Sequence, residues 1–469
     1  MIPPKPTPRP DKVSLWQYVR LFRRDILSAQ PARLYRARMA EFRTPFFRSY
    51  LCNDPDLIAK VLTERPEDFP KSDRVREGLA PLLGRSVFVT NGAEWAAQRR
   101  IIDPAFARGR LHEAYPAMLA ASLAARDRLL ARTGQEVEVE AFASHAAADV
   151  IFRTLFSIPI EHDIAHQVFA EFRAFQRAQP LLNLAALLPL PRWMPRFVPR
   201  QARKSAAVIR GLIARLVEDR QAAIRDGTAP DDLATKIMTT PDPETGRPFT
   251  PAEMVDQVAI FFLAGHETSA SALGWALYLL ARDTDVQARV AEEGRGFQPE
   301  AGISALSSLT LTRDVFREAL RLYPPVPMMV RETIQAEHFR DRAIPRGAQI
   351  VLSPWHVQRH ERLWDDPDAF DPDRWRSEAG RQSARCAYMP FSAGPRVCPG
   401  AGFAMIEGPL MLAVLLQAVQ ISVPEGADPV PVAQLTVRSE GGIRLKIGRR
   451  DVTSLSQKQR NGATPATGN

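Results

Sequence analysis

Apolar residues recur at helical spacing over most of the chain, and this pattern predicts a protein built mainly from long amphipathic helices. The clearest helix start is Thr250-Pro251-Ala252-Glu253, where threonine can cap, proline fits the first turn and glutamate completes a capping box. We expect this helix to span residues 251–282 and to lie centrally, because residues 260–270 are largely apolar or small. Further helices are predicted over residues 14–40 with an interruption near Pro31, 55–63, 93–100, 111–132, 141–156, 162–177, 202–227 and 309–322.

Strand-like patterns are short, which predicts small β-sheets beside the helices. They cover residues 46–51, 328–333, 350–353 and the alternating region 434–447 around a Gly441-Gly442 turn. The loop-rich segment 78–92 is ambiguous, and the apolar, proline-rich segment 181–199 fits either a buried connector or a mobile lid, with membrane contact as a third alternative. Residues 1–12 are predicted to form a flexible proline-rich arm and residues 451–469 a disordered polar tail.

Composition and charge narrow the class of protein. The 469 residues are 45% hydrophobic and 25% charged, and the chain is long enough to bury a large core. The net charge of +9 comes from basic residues spread along the chain, which disfavours nucleic-acid binding and is compatible with a basic patch that docks an acidic partner. Three unclustered cysteines argue against a disulfide scaffold. Without a secretory signal or an apolar run of the ~18 residues that span a membrane, a cytoplasmic protein is expected.

The most informative segment runs from Phe391 to Gly400 and places one cysteine in a loop of glycine and proline. Cys398 could be a nucleophile, a zinc ligand or a haem ligand. Zinc is disfavoured because no second cysteine lies at a short ligand spacing, whereas a histidine base for a nucleophile stays open. The haem interpretation explains more of the loop, since Gly394 and Gly400 permit turns that bring amides toward sulfur, and Arg396 can pair with a propionate.

The pattern F-x-x-G-x-R-x-C-x-G resembles the haem-thiolate signature of the cytochromes P450, with all of its fixed positions present: Phe391, Gly394, Arg396, Cys398 and Gly400. The resemblance implies one catalytic domain over residues 13–450. It also implies a mainly α fold with small β-sheets, in which a triangular prism of long helices encloses haem b between a central long helix and the cysteine loop. Cys398 would be the axial ligand of the haem iron.

A second segment, Ala264-Gly265-His266-Glu267-Thr268, interrupts the middle of the predicted central helix with a glycine and an acid. Glycine costs about 1 kcal/mol there relative to alanine, and an unpaired acid in an apolar run is also unfavourable. The segment resembles the P450 oxygen-activation motif, which implies that Ala264 and Gly265 let the cofactor approach and that Thr268 and Glu267 handle dioxygen and protons. A close helix–helix contact with a solvent-facing glutamate is the alternative.

Two further residue pairs are interpreted through the same resemblance. Glu318 and Arg321, one helical turn apart, resemble the family's E-x-x-R pair, and Arg374 would complete a structural network with them. Trp95 and Arg99 resemble the W-x-x-x-R pair that holds a haem propionate, and Arg331 lies where the family often has another propionate ligand.

The resemblance implies a mono-oxygenase that activates dioxygen to hydroxylate or epoxidise an apolar organic substrate, working as a monomer with electrons from a separate ferredoxin or flavin reductase. A peroxide-driven peroxygenase and a haem-thiolate gas sensor are the alternatives. Five residues are expected to line the substrate pocket: Phe261, Phe262, Val326, Met328 and Met329.

Overall fold

The computed structural model describes residues 1–43, 48–178, 200–433 and 435–450, so the segment 181–199 and the tail 451–469 lie outside the described residues. The α-helices are α1 (Leu15–Arg24), α2 (Pro55–Ala59), α3 (Asp73–Leu83), α4 (Gly92–Ile102), α5 (Leu111–Leu130), α6 (Val139–Phe156), α7 (Asp163–Ala178), α8 (Arg200–Arg225), α9 (Leu233–Thr239), α10 (Pro251–Arg282), α11 (Thr284–Arg295), α12 (Thr310–Leu322), α13 (Pro354–Val357), α14 (Glu378–Ala387) and α15 (Ala401–Ala418). The strands are β1 (Met39–Arg43), β2 (Arg48–Cys52), β3 (Glu136–Glu138), β4 (Met329–Glu332), β5 (Glu337–Phe339), β6 (Arg342–Ile344), β7 (Gln349–Leu352), β8 (Val419–Ser422), β9 (Val430–Ala433), β10 (Val437–Glu440) and β11 (Arg444–Arg449).

Helix α10 is the centre of the fold and has the predicted bounds. Thr250 and Glu253 form the reciprocal capping box, with the Glu253 carboxylate accepting from the Thr250 amide at 2.8 Å. Helices α6, α8, α12 and α15 pack around α10, which is buried along most of its length. The mainly helical fold class is therefore confirmed.

The strands form small sheets at the edge of the helical body. The largest has the order β1-β2-β7-β4, in which β2 and β7 are parallel and the other pairs antiparallel. The Gly441-Gly442 turn does not close a hairpin, because β10 pairs with β9 whereas β11 pairs with β3 and β8.

One local prediction was wrong, and one was confirmed with a change of helix type. The helix predicted over residues 14–40 ends at Arg24, because Asp25 is extended and its buried carboxylate accepts from the amides of Ser28 and Ala433. The helix predicted over residues 55–63 changes after Ala59 into one wider turn, Lys60–Glu64, which packs against the cysteine loop.

The N-terminal arm lies along the domain. The Tyr323 hydroxyl donates to the carbonyl of Pro4 at 2.7 Å, and the amide of Phe370 donates to the carbonyl of Met1 at 2.8 Å. Such bonds fix this part of the arm, in contrast to the flexibility expected from its composition.

Within the described residues, α15 is the one helix that is long and apolar enough to cross a membrane, with a mean hydropathy of 1.6. Helix α15 packs against α5, α11 and α12, and 61% of it is buried inside the protein, as is usual for a core helix.

Candidate functional site

The cysteine loop is closed by its own backbone. The Cys398 amide donates to the carbonyl of Phe391 at 2.9 Å, and the Gly400 amide donates to the Cys398 sulfur. The thiol is accessible from one side, although the protein around it raises its pKa through burial, with the Gly400 amide and Arg99 acting in the opposite direction. A sulfur that is enclosed by protein and open on one face is suited to ligate a group in a cleft.

Gly394 holds this loop against the wide turn at residues 60–64. Its φ of +67° is in the region that favours glycine, and a Cβ there would overlap the carbonyl oxygen of Leu62. Gly394 therefore shapes the loop through packing.

Replacing Gly394 with alanine should displace the cysteine loop and lower the unfolding free energy by well over the roughly 1–2 kcal/mol of left-handed strain. Gly426→Ala is the matched control, because Gly426 has a φ of +72° but open space around its Cβ position. Thermal unfolding of both variants separates the effect of overlap with the Leu62 carbonyl from the effect of a positive φ. Equal losses in the two variants would contradict the role assigned to the Leu62 contact.

Three cations surround the indole ring of Trp95. The centroid of the ring lies 5.6 Å from the Lys71 nitrogen, 5.9 Å from the Arg99 guanidinium and 5.4 Å from that of Arg396. Arg331 lies near enough to lower the pKa of Lys71, and it is almost completely enclosed. The structure thus brings together all four predicted propionate donors, Trp95, Arg99, Arg331 and Arg396, and it adds Lys71.

The charge of this cluster is not balanced. Burial, and then Arg396, lower the pKa of Arg331 to about 10, and its Nε has no hydrogen-bond partner among the described residues. The Nε of Arg396 also lacks a partner there, and a carboxylate oxygen of the exposed Glu67 lies 3.8 Å from its Nη2. In the described part of the chain neither Lys71 nor Arg331 is ion-paired with a carboxylate. Such a cluster fits a bound group with two negative charges.

Lys71 is placed in the cluster by backbone pairing with strand β4, which no local sequence pattern predicts. The Glu332 amide donates to the Pro70 carbonyl at 3.0 Å, and Lys71 forms a bridge with Arg331, so residues 70–71 extend the edge of β4. The Lys71 ammonium donates to the carbonyls of Val87 and Thr90. Lys71 follows Phe69-Pro70 and belongs to no motif, so the sequence did not predict its place in the cluster.

The stability of the cofactor-free protein should rise with pH through the titration of Lys71. Burial first, and then the arginine charges, lower the Lys71 pKa from 10.5 to about 6 in the folded chain. Between these values the unfolded chain binds more protons, so a rise in pH favours the folded chain, by up to about 1.4 kcal/mol per pH unit for one group. Urea unfolding at several pH values should show a shallower rise for Lys71→Met than for the wild type, and parallel curves would contradict the shift.

Helix α10 has an accessible face in the middle of its buried length. Ala264 is exposed, and Phe261 and Thr268 are half-buried, at spacings that place all three on one face. The Thr268 hydroxyl donates to the carbonyl of Ala264 at 2.6 Å. An accessible alanine within a buried helix leaves room for a flat group beside the backbone.

Gly265 points to the opposite side. A Cβ on Gly265 would lie 2.6 Å from the Cδ1 of Ile151 in α6, so its small size serves the contact between α6 and α10. This contact is the helix–helix alternative for Gly265, and the glycine does not line the accessible face.

Glu267 is also turned away from solvent. Its carboxylate is 5% exposed and accepts hydrogen bonds from Gln176 at 2.9 Å and from Thr436 and Arg438 at 2.8 Å each. Gln176 lies in α7, Arg438 lies in β10, and Thr436 lies just before β10. All three are far from Glu267 in the sequence, so no local pattern predicted these contacts. Glu267 thus connects α10 to strand β10, and a solvent-facing glutamate is excluded.

The predicted pocket residues divide into two groups. Val326, Met328 and Met329 are partly accessible, like Phe261. Phe262 is 2% exposed and packs against Phe152, Phe172 and the ring of His266, so it belongs to the core, and the pocket prediction was wrong for this residue.

The side chains of Glu318 and Arg321 are completely buried. Arg321 makes two bonds to the Glu318 carboxylate, at 2.9 and 2.7 Å, and Arg374 adds one at 2.9 Å. The guanidiniums also donate to backbone carbonyls between residues 358 and 369. Gln358 extends this network, since its Oε1 accepts from the amide of Met389 just before the cysteine loop.

The residues present fit a flat dianionic cofactor with a metal at its centre. The loop offers one accessible thiol, and α10 offers a small-residue face. Of the four basic side chains, Arg99 pairs with Asp103 at 2.6 Å, whereas Lys71 and Arg331 have no carboxylate partner among the described residues. Within the described ranges no group of three or more histidine, cysteine, aspartate or glutamate side chains could hold a metal ion by itself.

Comparison with known proteins agrees with this geometry. Residues 38–447 match the family model described as Cytochrome P450. The chain is 31% identical to pentalenene oxygenase from Streptomyces avermitilis, over 86% of this chain and 88% of that protein, and 32% identical to cyclooctatin synthase from Streptomyces melanosporofaciens, over 78% and 79%. The fold is similar to the crystal structure of the cytochrome P450DA heme domain, with a TM-score of 0.78 and 24% identity, covering 96% of this chain and 98% of that one.

Proposed function

This chain belongs to the cytochrome P450 family and is a mono-oxygenase, and we propose that it uses haem b to oxidise a cyclic, terpenoid-like substrate with electrons from a ferredoxin or flavin reductase. The observation that carries the proposal is the joint presence of an accessible Cys398 thiol and a cluster of basic side chains in which Lys71 and Arg331 have no carboxylate partner among the described residues.

Each part of the site has a role in this proposal. Cys398 would ligate the haem iron as thiolate, and Lys71, Arg99, Arg331 and Arg396 would bind the propionates. When bound, haem supplies the activation of dioxygen, chemistry that side chains do not provide. Thr268 would rotate its hydroxyl from the Ala264 carbonyl to hold dioxygen or water near the substrate.

The accessible side chains around the site favour an apolar substrate. Phe261, Val326, Met328 and Met329 offer no charge, so an oxygen-poor hydrocarbon would lose little on leaving water. Pentalenene oxygenase and cyclooctatin synthase, which are among the similar proteins, support a cyclic terpenoid over a linear fatty acid. Titration with pentalenene, a linear fatty acid and a steroid, followed by the spin-state shift of the haem, tests this order, and a shift with the fatty acid alone would contradict it.

The absorption spectrum of the reduced, carbon-monoxide-bound protein tests the haem-thiolate site. We expect a strongly red-shifted Soret band, because a thiolate donates electron density to the iron. A well-folded protein without this band would overturn the proposal. Turnover with hydrogen peroxide and no electron donor would instead favour the peroxygenase alternative.

A further inference from the structure

The accessible face of α10 ends, on the side of the helix start, at a buried polar side chain. Gln257 precedes Phe261 by four residues and Ala264 by seven, and these spacings place the three side chains on one face of the helix. Seven residues of α-helix span about 10 Å, so Gln257 lies two turns away from Ala264. Gln257 itself is completely buried. The face that offers room beside the backbone is therefore closed at one end by an amide.

The loop between α3 and α4 covers Gln257 and joins it to the cation cluster. The Val87 amide donates to the Oε1 of Gln257 at 3.0 Å. The Lys71 ammonium donates to the carbonyl of Val87 at 2.6 Å and to that of Thr90 at 3.1 Å. Because this loop is bonded to α10 on one side and to the cation cluster on the other, it borders the region in which a substrate would lie.

Two buried polar groups beneath this loop have no hydrogen-bond partner among the described residues: the Nε2 of Gln257 and the hydroxyl of Ser86. Since Oε1 of Gln257 accepts from the Val87 amide, Nε2 is the free end of the side chain and is a donor. Ser86 precedes Val87, so its side chain lies near this amide, and it too is completely buried. Buried donors without an acceptor are unfavourable, and a pair of them fits a ligand that brings an oxygen.

We propose that Gln257 and Ser86 bind one oxygen atom of the substrate, the alcohol or ketone oxygen of an otherwise apolar cyclic terpenoid. The proposal rests on the mono-oxygenase function proposed above and narrows its substrate class. The Nε2 of Gln257 donates to the oxygen, and the Ser86 hydroxyl donates to a ketone or accepts from an alcohol.

This anchor orients the substrate. It holds the oxygenated end about 10 Å from Ala264, so a carbon on the far side of the ring system is presented to Ala264 and Thr268. The reaction that supplies such a substrate must already have placed an oxygen on the ring, by capture of water during cyclisation or by an earlier oxidation.

The stability of the ligand-free protein tests whether the Ser86 hydroxyl has a partner inside the protein. Ser86→Ala should leave the midpoint of urea unfolding unchanged or raise it, because the hydroxyl that it removes makes no bond with the described residues. Thr90→Val is the matched control in the same loop. The buried Thr90 hydroxyl donates to the Oε1 of Gln98 at 2.6 Å, so its removal should lower the midpoint. Equal losses in the two variants would overturn the proposal.

Ligand binding to the haem-loaded protein tests the anchor itself. The probes are α-cedrene and cedrol, two sesquiterpenes on one carbon skeleton, of which only cedrol carries a hydroxyl group. Titrations followed by the spin-state shift of the haem should show that the wild type binds cedrol about tenfold more tightly than α-cedrene. Ser86→Ala and Gln257→Leu should each weaken the binding of cedrol severalfold and leave that of α-cedrene unchanged. Thr90→Val should keep the wild-type ratio of the two affinities.

The outcomes separate this proposal from the one on which it rests. Equal wild-type affinities for the two probes would overturn the anchor, as would a preference for cedrol that survives in both Ser86→Ala and Gln257→Leu. A wild type without the red-shifted carbon-monoxide band would instead refute the mono-oxygenase proposal, and the urea comparison would still decide whether the Ser86 hydroxyl is free to bind a ligand.

Discussion

Replacing Glu318 with alanine is expected to lower the unfolding free energy by about 3–5 kcal/mol, the range for breaking a buried ion pair from one side. The change leaves Arg321, which is completely buried, and Arg374 without the carboxylate that they share. Because a domain is stabilised by only about 5–15 kcal/mol in total, we expect little folded, haem-retaining protein at physiological temperature. Denaturant unfolding and the haem content of purified protein measure the loss.

A matched control is available on the surface. Glu378 and Arg381 form an ion pair at the same i, i+3 spacing, at 2.8 Å, but their side chains are 70% and 50% exposed. Glu378→Ala should change stability by less than about 1 kcal/mol, as is typical of exposed pairs. Similar losses in the two variants would mean that burial does not set the importance of the Glu318 network.

The effect of Glu318→Ala should also reach the cysteine loop. Arg321 donates to the carbonyl of Gln358, and the Gln358 side chain bonds the carbonyls of Leu320 and Arg321 as well as the amide of Met389. Disorder in the network should therefore weaken the hydrogen bond between Gln358 and the Met389 amide, which lies just before Phe391. We expect the variant to lose haem at denaturant concentrations below those that unfold its helices.

Replacing Cys398 with serine should abolish the red-shifted Soret band and mono-oxygenase activity. A serine oxygen is a weaker electron donor to iron than a thiolate, so bound haem would lose the electron donation that supports its activation of dioxygen. The fold should persist, since serine occupies nearly the same volume and its oxygen can accept the hydrogen bond that the Gly400 amide donates to the thiol. Circular dichroism, haem content and the carbon-monoxide spectrum together separate ligation from folding.

Cys386→Ser is the control for this substitution. Cys386 lies on the exposed side of α14, and its sulfur faces backbone carbonyls of its own helix. We expect an unchanged spectrum in this variant. Retention of the red-shifted band in Cys398→Ser would overturn the proposal that Cys398 ligates the haem iron.

Local sequence signals predicted the parts of this protein that depend on neighbouring residues. The capping box at Thr250 set the start of α10, and the glycine–proline loop around Cys398 was recognisable because its spacing is fixed by its own turns. The prediction made helix α1 too long, because the helix ends where the Asp25 carboxylate accepts a hydrogen bond from the amide of the distant Ala433.

The remaining features depend on contacts between segments far apart in the chain. No pattern near Gly265 indicates that its partner is Ile151, and none near Glu267 indicates Arg438. Lys71 joined the cation cluster only through the pairing of residues 70–71 with β4.

The cluster around Trp95 makes the capture of haem a proton-coupled event. In the cofactor-free chain Lys71 has a pKa of about 6 and is mostly neutral at physiological pH. A propionate beside it favours the ammonium form, so binding draws a proton from solution. Haem affinity should therefore weaken as the medium becomes more alkaline.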